Sequence, residues 1–289
     1  MILEIKNLQK SYKNKQIIKN MTLTLEPGIY AFLGPNGAGK STLMNMLVGL
    51  IKADSGEITY DGQDIFAAGE KYRDIIGYMP QELGLYSSFS GEKLLEYYAA
   101  LRGVNEPKER IEELLRLVNL WDERKKKVGK YSGGMKRRLG IAISLLNDPQ
   151  ILILDEPTAG LDPRERIRFR TVLSQLTHDK IVMVATHIVS DVETISDSCI
   201  LIKSGEIVAN GSISELMHCL SGKVWEWESD NLTGELYCET NQRATIVKKE
   251  GKICIHEVSE ERPNEVAVSV NPELEDVYTF YFGEKVSHE

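Results

Sequence analysis

Gly34-Pro-Asn-Gly-Ala-Gly-Lys-Ser41 decides how this chain is read. It fits the spacing G-x-x-x-x-G-K-[ST], and its flanks are the ones that spacing requires. Residues 29–33, Ile-Tyr-Ala-Phe-Leu, form a short apolar run of the kind a buried parallel strand shows. Residues 40–48 carry apolar side chains at helical spacing and stop at Gly49. A strand, a glycine-rich turn and a helix in that order make an anion cradle. Backbone N–H groups must approach a polyphosphate closely, so glycine is required where a Cβ would collide, and the loop offers Gly34, Gly37 and Gly39. The helix that follows turns its positive end to the phosphates. Lys40 is then expected to reach the β- and γ-phosphates and the Ser41 hydroxyl to ligate Mg²⁺, with Asn36 and Thr42 among the groups around the nucleotide.

Outward from the loop, residues 1–8 and 21–25 alternate apolar and polar as strands do, the second ending at Pro27-Gly28. Residues 56–60, followed by Asp61-Gly62, read as a hairpin arm, and residues 75–79 as another strand. From about residue 90 to residue 146 the pattern is helical, with Leu94, Leu95, Tyr98 and Leu101 on one face and Ile111, Leu114, Leu115 and Val118 on another. Strands return at 151–154, 181–185 and 199–202, alternating with helices. The fold expected is α/β: a P-loop NTPase core with a parallel sheet, an antiparallel β subdomain and a helical insertion. Within it, Ile151-Leu-Ile-Leu-Asp-Glu156 is an apolar strand ending in two carboxylates. Asp155 would hold the Mg²⁺ water shell, and Glu156 is placed to take a proton from an attacking water.

Tyr131-Ser-Gly-Gly-Met-Lys-Arg-Arg138 resembles the signature motif of the ABC ATPase family, and other family marks stand in the expected order. Tyr12 matches the aromatic that stacks on adenine, and Gln81 of Tyr78-Met-Pro-Gln81 matches the Q-loop glutamine, which senses Mg²⁺ and the attacking water. Gly160-Leu-Asp162 matches the D-loop, and His187 of Ala185-Thr-His187 the switch histidine. The resemblance covers about residues 1 to 220. It implies ATP as the nucleotide and two ATP-binding units facing head to tail, so that Ser132 and Gly134 of one unit complete the γ-phosphate site of the other. Where the family usually has Gln, this chain has Met135, whose thioether is a poor partner for a nucleotide sugar. Lys136, Arg137 and Arg138 are expected on a solvated helix face rather than as phosphate ligands. Ser-Gly-Gly-Met with a basic run, together with Leu274-Glu-Asp-Val277, resembles the branch that serves export of drugs, peptide antibiotics or ions.

Composition sets the remaining bounds. The chain has 289 residues and a formal net charge of -8, which argues against a nucleic-acid affinity of its own. The charge is uneven: residues 223–289 hold 15 acidic and 7 basic side chains, and the preceding residues are neutral. That step places an expected boundary at 222/223, between an ATP-binding domain and a small acidic α+β appendage. In the appendage, residues 224–228, 244–247, 253–255 and 266–270 read as strands and 272–282 as a short helix with an aromatic face. Cys199, Cys219, Cys238 and Cys254 lack metal-ligand spacing and are expected to be reduced and mostly buried. No apolar run approaches the roughly 20 residues of a membrane helix. The expected setting is therefore cytoplasmic, with any membrane contact made through a partner. The family resemblance implies that this partner is a separate transmembrane permease and that a second copy or a related ATPase subunit is the other. The alternative is a soluble ABC ATPase acting on nucleic acid or the ribosome. Against it, the helical insertion is short and without heptads, and there is a single P-loop.

Overall fold

The structure is a computed structural model that describes residues 1–175, 179–249 and 251–283. The chain divides into two compact units, Met1–Ile207 and Val208–Glu289.

The first unit opens with β1 (Leu3–Tyr12) and β2 (Lys15–Leu25), a hairpin whose inward positions alternate with solvent-facing ones. Residue Ile5 pairs with Leu23 on one side and with Ile58 on the other. After β3 (Gly28–Leu33) and α1 (Lys40–Leu47), β4 (Ser55–Tyr60) and β5 (Gln63–Asp64) complete an antiparallel sheet of order β2-β1-β4-β5. The buried face of that sheet, Leu3, Ile5, Leu8 and Ile58 among it, joins Leu43, Met44 and Leu47 of α1 in one core.

Two short helices, α2 (Ile65–Ala68) and α3 (Glu70–Asp74), lead to β6 (Ile76–Met79). Next come α4 (Gly91–Leu101), α5 (Pro107–Leu117) and α6 (Gly133–Ser144), the helical insertion. Its helices bury Leu94, Leu95 and Ala99, then Ile111, Leu114 and Leu115, then Leu139. The chain returns through β7 (Ile151–Asp155), α7 (Pro163–Ser174), β8 (Ile181–Thr186) and β9 (Ser198–Lys203). Strands β9-β3-β8-β7-β6 lie side by side and parallel. Every residue of β7 and β8 is buried, which explains their unbroken apolar runs: both faces of a parallel sheet are covered. The phosphate loop, the carboxylates after β7 and His187 after β8 all follow carboxyl ends of these strands, where α/β sheets present their ligand sites.

β10 (Glu206–Ser212) carries the chain from one unit into the other. The second unit holds α8 (Ile213–His218), β11 (Val224–Glu228), α9 (Asn231–Thr240), β12 (Ala244–Lys249), β13 (Lys252–Val258), β14 (Val268–Ser269) and α10 (Leu274–Phe282). Its sheet is antiparallel, of order β12-β13-β11-β14.

Three expectations are corrected here. The strand expected at 266–270 shrinks to Val268–Ser269, because the preceding residues are closed into a loop. Asn264 Oδ1 accepts from the N–H groups of Val266 and Ala267, and the Arg262 guanidinium donates to the carbonyls of Glu265 and Ala267. Helix α9 was not expected; Asp230 caps it by accepting from the Thr233 N–H at 2.9 Å. The thiols are not mostly buried: Cys199 and Cys254 are, Cys219 is exposed and Cys238 half-buried.

Candidate functional site

Gly34 and Gly39 show why the phosphate loop tolerates no side chain there. A Cβ on Gly34 would stand 2.3 Å from the Ile202 carbonyl oxygen. One on Gly39, at φ +109°, would stand 2.9 Å from that of Ile17. The loop is thus pressed onto β2 and β9 on one side and leaves its other side open. Gly39 precedes α1, and no side chain caps that helix, so its first N–H groups are left for a ligand.

Beyond the loop lies a cleft of ≈ 410 Å³, within the usual range for a small-molecule site. Tyr12 borders it, as do Asn36, Gly37, Gly39, Ser41 and Thr42. Lys40, Gln81 and Glu156 border it too. Nine of the positions singled out in the sequence therefore meet around one cavity, although they come from four separate stretches of chain. Tyr12 ends β1 and is 46% exposed, so a planar base has a free ring face to lie against. Lys15 and Ile17, from the start of β2, line the same cleft. Sequence reasoning missed both, because a hairpin arm carries no motif to mark it.

Lys40 is 5% exposed. Its ammonium donates to the carbonyls of Gly34 at 2.7 Å and Pro35 at 3.2 Å, and stands 3.8 Å from the Glu156 carboxylate. Burial pulls its pKa down, while Glu156 and Asp155 act in the opposite direction. Asp155, at 2% exposure, has its carboxyl pushed upward, first by burial and then by Glu156, against a hydrogen bond from Ser41. Its Oδ1 is buried and, among the described residues, has no hydrogen-bond partner. An orphaned buried carboxylate oxygen beside a serine hydroxyl fits a hard divalent cation such as Mg²⁺, which binds oxygen ligands of this kind.

Glu156 is held in an unusual way. Its φ is +48°, a left-handed conformation that is costly for a residue with a side chain, and its N–H donates to the Ala185 carbonyl at 2.8 Å. The sharp turn at the end of β7 aims the carboxylate at the end of β8. There Nδ1 of His187 lies 3.0 Å from both Glu156 oxygens. With its proton on Nδ1, the ring donates to the carboxylate and keeps Nε2 for a ligand. The segment after His187 is anchored in turn by Asp191, 2% exposed, which accepts from Thr158 and, at 3.1 Å, from Arg166. Nothing in the sequence marked Thr158, Arg166 or Asp191.

Ser132, Gly134 and Asp162 are not among the residues lining the cleft. Ser132 caps α6, accepting from the Met135 N–H at 3.2 Å, and Asp162 caps α7, accepting from the Glu165 N–H at 2.9 Å. The expected solvated basic face after the signature does not exist as such. Arg138 is 5% exposed, donates to the carbonyls of Val118 and Asn119 at 2.7 Å, and pairs with Glu165 at 2.7 Å. Arg137 is half-buried and donates to the Gln81 carbonyl at 2.7 Å. Docking of α6 against its neighbours, which helical periodicity does not report, overturns that reading.

A parallel sheet with a phosphate loop, paired carboxylates at the next strand end and a histidine facing them defines a P-loop ATPase. The protein-family profile described as ABC transporter matches residues 18–159. The chain is 37% identical over 225 residues to the linearmycin resistance ATP-binding protein LnrL of Bacillus subtilis, covering 76% of this chain and 72% of that one. It is 39% identical over 211 residues to the lantibiotic transport ATP-binding protein SrtF of Streptococcus pyogenes, covering 72% and 89%. Among solved structures, the dimeric post-hydrolysis state of the ATP-binding cassette MJ0796, bound to ADP and Pi, aligns with a TM-score of 0.66 and 27% identity. That alignment covers 73% of this chain and 98% of the other. The chain belongs to the ABC transporter ATP-binding proteins. It is an ATP-binding and ATP-hydrolysing subunit, and the family implies a separate permease.

Proposed function

We propose that this subunit powers outward transport through a separate transmembrane permease, by closing on a second ATP-binding subunit when ATP is bound. One observation carries the reading. The cleft assembles Lys40, Ser41, Gln81 and Glu156, while Ser132 and Gly134 lie outside its lining, which supports a signature that serves the site of another subunit.

In this mechanism Tyr12 stacks on adenine and the loop amides with Gly34, Asn36, Gly37, Gly39 and Thr42 cradle the phosphates. The Lys40 ammonium exchanges its two carbonyl contacts for phosphate oxygens. Ser41, Asp155 and Gln81 would hold Mg²⁺, which offsets phosphate charge when bound. Glu156 takes the proton of the attacking water, and His187 orients the Glu156 carboxylate through Nδ1 and offers Nε2 to the γ-phosphate. Ser132 and Gly134, at the start of α6, complete the γ-phosphate site of the opposite subunit, with Asp162 at the shared border.

The isolated chain is then a monomer or weak dimer without nucleotide. Glu156→Gln with ATP and Mg²⁺ shifts it to a dimer by light scattering. A dimer equally populated without ATP counts against nucleotide as part of the interface.

The outward direction is supported by the Ser132-Gly-Gly-Met signature and by the resistance and lantibiotic transport relatives. Among the described residues no helix is long and apolar enough to cross a membrane, so the permease would hold the subunit at the cytoplasmic face. Its docking surface is assigned to residues 83–89. There Tyr86, 51% exposed, packs with Phe89 and Tyr97 at ring distances of 5.6 Å each. Nearby on α4, Leu101 is 64% exposed. Glu substituted at Leu85 and Tyr86 should spare ATP binding and lower recovery of the copurified membrane subunit. Unchanged recovery puts docking elsewhere. Residues 223–289 are proposed as an accessory domain that ATP binding does not need.

A further inference from the structure

Helix α6 grips the loop after β6 at two points. Arg137 Nη1 donates to the Gln81 carbonyl at 2.7 Å. Three residues later, on the same helix face, Gly140 receives the side chain of Leu83 so closely that a Cβ there would lie 2.9 Å from Leu83 Cδ2. The neighbouring Arg138, about 100° round the helix, makes the unrelated anchor to Val118, Asn119 and Glu165. The Arg137 guanidinium also lies within the field of the Asp155 and Glu156 carboxylates. A charge-assisted bond to a carbonyl is stronger than a neutral one, and here it is made to the backbone of the one cleft residue that sits on a loop between the core and the insertion.

We infer that Arg137 is a positioning residue for hydrolysis: it straps the Gln81 loop to the helix that begins at Ser132. This rests on the reading of Gln81 and Ser132 given above. The two ends of the strap serve different sites. Gln81 faces the nucleotide in its own cleft, while Ser132 and Gly134 face the nucleotide of the opposite subunit. A movement of the Gln81 loop on binding ATP is thereby carried to the signature through a single hydrogen bond and one apolar contact, without a longer path. Arg137 itself does not line the cleft, so its loss should leave nucleotide affinity alone.

The test compares Arg137→Ala, Arg137→Lys, Gln81→Ala and the double variant Gln81→Ala/Arg137→Ala in the full chain. Steady-state ATP hydrolysis, binding of a fluorescent ATP analogue and thermal midpoints are measured for each. Arg137→Ala should lower kcat about tenfold, the worth of one charge-assisted hydrogen bond, with KM within about twofold. Arg137→Lys should recover most of kcat, because an ammonium can still donate to the carbonyl. The double variant should be no slower than Gln81→Ala, since both changes act through one loop. Wild-type kcat in Arg137→Ala, or losses that multiply in the double variant, overturns the inference and leaves the site reading intact. A fall in kcat that tracks a lowered thermal midpoint and is not rescued by Lys makes Arg137 merely structural and overturns it as well. Wild-type kcat in Gln81→Ala sinks the site reading and the inference together.

Discussion

The second unit and the cleft of the first treat buried charge in different ways. Among the described residues of the second unit, the buried carboxylates Glu257 and Asp276 close on their own surroundings. Glu257, 6% exposed, accepts from the Tyr237 hydroxyl at 2.7 Å and the Asn241 amide at 3.0 Å. Asp276, 4% exposed, accepts from the Glu273 N–H at 2.8 Å and faces His256 Nε2 at 2.6 Å. In the first unit the same closure is seen at Asp191, and at Glu156 through His187, but not at Asp155. Asp155 keeps an orphaned oxygen, Lys40 is turned onto its own loop, and Glu156 is held at a strained φ. Burying a charge costs free energy unless partners offset it. A cluster that leaves the offset incomplete is built for a ligand that supplies the rest, and one that completes it is built to hold the fold. The contrast makes the cleft a site and the second unit's network a fastening.

The contrast is broken most forcefully at Glu156 and Lys40. If Glu156 is the proton acceptor and Lys40 the phosphate clamp, their losses must show in different constants. Glu156→Gln keeps size and hydrogen bonding but removes the base, so kcat should fall roughly 10²- to 10⁴-fold with ATP affinity preserved. Lys40→Ala removes a charge-assisted contact to phosphate and should weaken ATP binding itself, by roughly 10- to 100-fold. Steady-state hydrolysis together with equilibrium binding separates the two. Glu156→Gln turning over at the wild-type rate would remove Glu156 as base, and unchanged affinity in Lys40→Ala would remove the clamp.

What was legible in the sequence follows from the range of the forces involved. The phosphate loop could be read because close backbone approach forces glycine at fixed spacing, and β7 and β8 because burial on both faces forces continuous apolar runs. The insertion helices could be read from periodicity alone. Arg137 and Arg138 could not, since which side of α6 meets protein depends on how the helix docks, and a basic run looks the same either way. Helix α9 was hidden because its apolar residues Leu232 and Leu236 are exposed, at 78% and 64%, and Gly234 interrupts it. The convergence of Tyr12 with the phosphate loop was inferred from family resemblance. Lys15 and Ile17, two and four residues beyond Lys13 in the same hairpin, show what that route omits.

The smaller test of the contrast lies at His256, where the fastening carries its own pH dependence. Nδ1 faces Glu226 at 2.8 Å and Nε2 faces Asp276 at 2.6 Å, joining β13 to β11 and to α10. A neutral imidazole has one N–H to give, so two carboxylates require the doubly protonated ring. The bond to Asp276, against burial and with help from Glu226, raises its pKa from 6.5 to about 9. A pKa raised in the folded state stabilises fully below the unfolded value. The contribution therefore declines above pH 6.5 and is gone once the pH passes about 9. Screened by the solvent that reaches this half-buried ring, a shift of that size is worth at most about 2 kcal/mol. In a Trp121→Phe background, fluorescence reports Trp225 and Trp227 of the second unit. Its thermal midpoint should fall between about pH 6 and about pH 9.5, and His256→Gln, which cannot carry the charge, should flatten that slope. An equal slope in His256→Gln would assign the pH dependence to other groups. ATP affinity should stay within about twofold across the same variants if, as proposed, residues 223–289 are an accessory domain that ATP binding does not need. Affinity that falls along with the second unit's midpoint would show that residues 223–289 are needed for the cleft after all.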